Sequence, residues 1–299
     1  MAAASYRRHM RRYAHMGLLE VWYDTIDSDR LLRATPDWAR ASAAAALEKA
    51  RRRTHLQVLD KMTDLVDDQH RIVEQHPYIV RATHTPSGRT VEDAVGHFMV
   101  AYLESLAPER RQLLERYRII DVALKVVGVG SVGTRCWVGL LQGRDWDDPL
   151  FLQLKEAQRS VLSPYLPARS EAPENQGQRV VAGQRLIQGS PDIFLGWGRL
   201  DGVDFYVRQL RDMKGGFELE PEVTSPAAFV EYCSLCGWAL ALAHAKSGDA
   251  AAIGGYLGKS DVFDDAIMRF AAAYAEQTRR DHEDFAKAAH DGTIEVAAL

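Results

Sequence analysis

The sequence predicts an α+β protein in which a five-stranded, mostly antiparallel sheet with one helix is flanked by helical regions. Three observations lead there. Residues 1–117 recur mainly with helical spacing. Residues 118–216 switch to short β-branched and aromatic runs punctuated by glycine and aspartate. Residues 217–299 return to helix. These bounds are also the expected domains: a helical region, a sheet lobe and a C-terminal helical region.

In chain order, "SYRRHMRRYAHMGLLEVWYDTI" spaces Tyr13, Met16, Leu19 and Val21 as a helix does. "PDWARASAAAALEKARRRTHLQVLDKMTDLV" opens on Pro36 and Asp37, a helix start, and continues as an alanine-rich run. "PYIVRAT" is a short apolar stretch closed by the turn residues "TPSG". "TVEDAVGHFMVAYLESL" begins with a threonine cap and an acidic first turn, and "APERRQLLERY" is one more short helix. Three strand-like runs follow, "IIDVALKVVGVG", "TRCWVGLL" and "PLFLQLKEA". In "GQRVVAGQRLIQG", Val180, Val181, Leu186 and Ile187 can share one helical face. "DIFLGWGRL" and "VDFYVRQL" are two strands joined by Asp201-Gly202, a strong hairpin signal. "PAAFVEYCSLCGWALALAHAKSG" and "VFDDAIMRFAAAYAEQTRRDHEDFAKAAH" complete the chain as helices.

Composition excludes several functions. A net charge of −4 over 299 residues is not that of a nucleic-acid binder. The arginines at Arg7, Arg8, Arg11, Arg12 and at Arg51, Arg52, Arg53 read as solvated helix faces. Three cysteines do not make a disulfide framework and suit a reducing compartment. Cys233 and Cys236 form a C-x-x-C pair inside an apolar helical run, so they read as small core residues rather than a zinc or redox pair. No apolar run satisfies the ~20 residues needed to span a bilayer. The expectation is a cytoplasmic protein with neither membrane nor nucleic acid as partner.

The stretch that carries chemistry is "KVVGVGSVGTRCWVGLLQG", with Gly128, Gly130 and Gly133 at G-x-G-x-x-G spacing and Ser131 among them. Three structures can produce it. A dinucleotide site needs a helix immediately after the turn, and Thr134 to Val138 have strand composition instead. It also needs an acid about 20 residues on, where Asp147 and Asp148 sit in the turn-like "GRDWDDP". A kinase-type glycine loop is a hairpin covering the phosphates, followed by a lysine on the next strand. Lys155 in "FLQLKEA" is that lysine, and three strands, a helix and two strands are the order of a kinase small lobe. The third structure is a plain turn whose lysine is a surface residue. On the kinase-like reading, Gln209 and Arg211 lie at and just beyond the fifth strand, near where the adenine is held, with Asp212 and Lys214 beside them.

These residues also resemble a family. "VVGVGSVGTRCWVGLLQGRDWDDPLFLQLKEA", "GQRVVAGQRLIQGSPDIFLGW", "DFYVRQLRDMKGG" and "LALAHAKSGD" are similar, in order, to blocks of the bacterial domain of unknown function 2252 family. The resemblance implies a fold like that of kinases and aminoglycoside phosphotransferases. It also implies an upstream part, with a "GDxHxxNFG"-like catalytic loop and an "NDFDE"-like acidic stretch, that this chain lacks. Gly248-Asp249 and the acids of "SDVFDDA" do not replace them. Family members are expected to carry a Glu on the helix after the lysine where this chain has Ala182, leaving Gln184 or Glu156 as substitutes, with Glu156 on the wrong strand face. His244 reads as a buried hydrogen-bonding residue near the site, and no set of histidines has ligand spacing.

The resulting expectation is a truncated or degenerate nucleotide-binding remnant, a pseudokinase that grips ATP weakly. Magnesium enters only if the missing acids come from elsewhere. One alternative is an active phosphotransferase completed by a second chain; another is a helical interaction protein without enzymatic activity.

Overall fold

The computed structural model describes residues 1–51, 55–85, 87–126, 133–166, 173–210 and 224–296. It is α+β, with eleven α-helices and eight strands among the described residues, numbered in chain order with Leu18–Tyr23 as α2 and Pro108–Leu114 as α7, and it divides into two compact units. One unit joins Met1–Asp24 to Glu218–Leu299, and the other is Thr25–Phe217.

The first unit is helical. Helix α1 (Ala2–Tyr13) lies against α9 (Pro226–Ser247), α10 (Ala250–Leu257) and the start of α11 (Val262–His290). The approach of α1 to α9 is close, because a Cβ on Gly237 would stand 2.3 Å from the Ala2 carbonyl oxygen. Buried Ser5 donates to the Ser234 carbonyl at 2.6 Å, the Trp238 indole donates to the Tyr13 hydroxyl at 2.9 Å, and Arg7 pairs with Asp264 at 2.7 Å. The core face of α9 is Gly237, Trp238, Ala241, Leu242 and Ala245. Cys233 is half-buried and Cys236 exposed, so the pair is not part of that core. Contrary to the sequence reading, α9 is long and apolar enough by length and composition to cross a membrane, with a hydropathy of 1.3 over its best window.

The second unit carries the sheet. Helices α3 (Ser28–Ala34), α4 (Asp37–Arg51) and α5 (His55–Met62) precede the hairpin of β1 (Thr63–Val66) and β2 (Gln69–Ile72). That hairpin interrupts what reads as one long helix. Its turn residues Asp67 and Asp68 both have positive φ, 51° and 59°, which short aspartates tolerate and a helix cannot use.

The larger sheet has six strands among the described residues, all antiparallel, in the order β3-β4-β5-β6-β8-β7. Strands β4 (Arg118–Lys125), β5 (Cys136–Gln142) and β6 (Pro149–Glu156) fall where β-branched composition predicts them. Strand β8 (Val203–Gln209) pairs with β6, while β7 (Gly196–Leu200) takes the edge. The β7–β8 turn is Asp201-Gly202, with φ of 49° and 77°, as the Asp-Gly signal requires. The extra strand is the two-residue β3 (Ile79–Val80), inside "PYIVRAT". β7 starts later than "DIFLGWGRL" suggests, because the Asp192 carboxylate turns the chain by accepting from the Phe194 amide at 2.9 Å.

Side chains on strands alternate between faces, so the register sorts the sheet. One face, with Trp137, Leu141, Leu152, Phe205 and Val207, packs on α6 (Val91–Ser105) through Phe98 and Tyr102. Two glycines of β7 admit that helix: a Cβ on Gly196 would stand 2.6 Å from Tyr102, and one on Gly198 2.7 Å from Phe98. The opposite face is shared. Val138, Leu140 and Phe151 pack beneath Val58 and Leu59 of α5. Toward the other edge, α8 (Gln176–Ile187) sets Arg185 over the Trp197 ring at 5.8 Å.

Candidate functional site

Between α5 and α8 that second face leaves a polar strip. Cys136 on β5 stands opposite Lys155 on β6, which in turn stands opposite Tyr206 on β8. Gln153 stands opposite Arg208 in the next cross-strand row of that face. Leu124 pairs with Trp137, so Lys125 ends β4 beside Cys136. Three cations and three neutral polar groups therefore share two rows of one sheet face.

Each side chain is held by its strand and its neighbours. Gln153 is buried, and its carbonyl oxygen accepts from Nε and Nη2 of Arg208, each at 3.3 Å. This bond pins the guanidinium to the sheet without neutralising it. Lys155 is half-buried, and among the described residues neither it nor Arg208 forms an ion pair. Burial pushes the Cys136 thiol above its usual range; Lys155, a hydrogen bond with Gln153, Lys125 and Arg208 act in the opposite direction. Burial likewise raises the Tyr206 hydroxyl, against the pull of Arg208. Lys155 and Arg208, on adjacent rows of one sheet face, concentrate positive charge there.

The acids nearby are committed elsewhere. Glu156 does point away from Lys155, accepting from the Arg135 amide at 3.0 Å and approaching that arginine's guanidinium at 3.7 Å. Asp204 accepts from Arg199 at 2.6 Å and from the Gln176 amide at 2.7 Å, which holds its carboxyl below the usual range despite burial. Asp121 accepts from the Ile72 amide and from Arg81, each at 2.9 Å. Ala182 of α8 is exposed. No group of three His, Cys, Asp or Glu side chains has metal-binding geometry among the described residues.

The remaining candidates sort as follows. Gly128, Gly130 and Ser131 lie outside the described residues, as do Arg211, Asp212 and Lys214. Gly133 is described, with φ of 77°, just before β5. The segment after it is strand, with no helix to hold a pyrophosphate, so the dinucleotide alternative has no support. The glycine stretch therefore sits in the connection between the antiparallel neighbours β4 and β5. Gln209 ends β8 on the α6 side of the sheet, and its amide donates to Asp192 at 2.5 Å. Asp148 accepts from Tyr117 at 2.8 Å in the β5–β6 turn. Asp249 caps α10, and Asp264 belongs to the Arg7 pair. His244, expected to be buried, is exposed and hydrogen-bonded to the Tyr6 hydroxyl at 2.9 Å in the helical unit. Arg208 is the residue that sequence reasoning missed. Its signal was present, since it alternates in "VDFYVRQL" with the apolar Phe205 and Val207, but only the register shows that it faces Lys155's side.

A family model described as "Uncharacterized protein conserved in bacteria (DUF2252)" matches residues 1–288. No curated protein and no solved structure matches the chain.

Proposed function

The chain belongs to the DUF2252 family, and we propose that within it this chain is a kinase-like nucleotide-binding protein that grips ATP weakly and does not transfer phosphate by itself. One observation carries the reading: Lys155 projects from the strand next to the β4–β5 hairpin, its ammonium unpaired among the described residues, on the face where α8 packs. A cation so placed suits the phosphates of a nucleotide. The hairpin topology supports this, as does α8 lying between the third and fourth of the five strands β4 to β8. The commitment of Glu156, Asp121 and Asp204 to other partners supports the absence of transfer, because magnesium needs free carboxylates. A cytoplasmic location goes with such a ligand.

Thermal denaturation with ATP tests the reading. A ligand present at ten times its Kd stabilises the native state by about 1.4 kcal/mol. For a unit of this size that is a rise in Tm of roughly 3–5 °C. Lys155→Ala should abolish the rise while leaving the ligand-free Tm within about 1–2 °C, the usual range for a half-buried surface change. No rise with the unaltered protein at millimolar ATP refutes the proposal. That result would favour the helical interaction reading, which the exposed Leu18, Trp22, Tyr23 and Tyr256 of the helical unit support.

A further inference from the structure

Kinase-like sites hold the phosphate chain with one lysine and metal ions. Here the lysine has company. Arg208 is the diagonal neighbour of Lys155 across the β6–β8 ladder, a relation that puts two residues of one sheet face about 7–8 Å apart. The floor between them is neutral: buried Cys136, buried Gln153 and the half-buried Tyr206. Gln153 spends its carbonyl oxygen on Arg208, so the arginine is oriented by a group that leaves its charge intact.

Resting on the nucleotide reading above, we infer that Lys155 and Arg208 form a polyphosphate-binding strip that takes the phosphate chain of its ligand without a divalent metal. The chemistry follows from charge. A triphosphate carries close to four negative charges, and a site whose neighbouring carboxylates are occupied must neutralise them with its own cations. Gln153 and Tyr206 give the strip neutral hydrogen-bonding groups that do not compete for the cations. The specificity is then for the phosphate chain more than for the base. Magnesium, by occupying the phosphate oxygens, competes with the strip.

Isothermal titration of the full chain with ATP, sodium tripolyphosphate and adenosine, each in EDTA and in excess magnesium, tests this. Tripolyphosphate and ATP are expected to bind in EDTA, adenosine not to bind, and magnesium to weaken the first two. Raising KCl should weaken both further, since partly exposed charges are screened. Arg208→Gln should weaken tripolyphosphate about tenfold, the worth of one charge-assisted hydrogen bond. Arg208→Lys, which keeps the charge, should recover most of that loss, and ligand-free melting of both variants separates lost binding from lost folding. ATP that binds only with magnesium, with Arg208→Gln behaving as the unaltered protein, overturns the metal-free strip and leaves the nucleotide reading standing. Adenosine binding as tightly as ATP overturns the strip as well. Tripolyphosphate binding without ATP binding removes the nucleotide reading and keeps the strip; no binding of either removes both.

Discussion

Gly177 decides how closely α8 approaches the sheet, and its replacement by alanine is a sharp test of the geometry around Lys155. A Cβ there would stand 2.2 Å from the Phe205 carbonyl oxygen and 2.7 Å from the carbonyl carbon. Ordinary contact begins near 3.4 Å, so one partner must retreat by about 1 Å. The obstacle is backbone of a strand paired on both sides, with the Phe205 ring buried in the core, so rotamer changes cannot relieve it. α8 must move, and movement strains the Gln176 amide bond to Asp204 at 2.7 Å and the Asn175 bond to the Gly198 carbonyl at 3.3 Å. Overpacking of this kind costs about 1–3 kcal/mol, and the alanine returns at most about 1 kcal/mol of helix propensity. A net loss of about 1–2 kcal/mol lowers Tm by roughly 2–8 °C for a unit of this size. Gly183 in the same helix is the control, because nothing lies within 4 Å of its would-be Cβ. Gly183→Ala should raise Tm by about 1–3 °C through propensity alone. Melting curves of the two variants by circular dichroism are the assay. Shifts of the same sign in both would refute the close approach of α8 and, with it, the placement of that helix over the Lys155 face.

Three further outcomes are expected. Asp121→Ala should cost about 1–3 kcal/mol in urea unfolding, because it strands the buried Ile72 amide, while the half-exposed Arg81 keeps Glu74 and the Ile72 carbonyl; a loss below about 0.5 kcal/mol contradicts that role. Tyr117, pushed up to about 12 by burial and its bond to Asp148, keeps its proton in the folded state above pH 10, where the unfolded chain ionises. Its stabilisation is complete below pH 10 and is lost between pH 10 and 12. The deficit of Tyr117→Phe measured by urea unfolding should therefore shrink from pH 8 to pH 11, by under about 1 kcal/mol at so solvated a site; a constant deficit speaks against it. Cys136, buried and with a raised thiol, should be alkylated by iodoacetamide far more slowly than exposed Cys236, as read for each cysteine by peptide mass spectrometry. Equal rates would mean that the sheet face at Cys136 is open.

Much of this was legible from local chemistry. β-branched runs mark β4, β5 and β6, Asp201-Gly202 closes the β7–β8 hairpin, and Thr90 caps α6 by accepting from the Asp93 amide, because each of these preferences acts within a few residues. The β1–β2 hairpin escaped because Asp67-Asp68 is a weaker turn signal than Asp-Gly and follows an uninterrupted helical pattern. β3 escaped because two residues become a strand only when β4 supplies the ladder.

By itself the sequence determined the kinds and order of most elements, the strands β1 to β3 excepted, and placed a glycine-rich connection ahead of the strand that carries Lys155, since those depend on backbone preference and spacing. The tertiary structure alone decided which residues meet. It joined residues 1–24 to the C-terminal helices, sent Glu156 to Arg135, and put Arg208 beside Lys155. Register and close approach depend on atoms far apart along the chain, and no local preference encodes them.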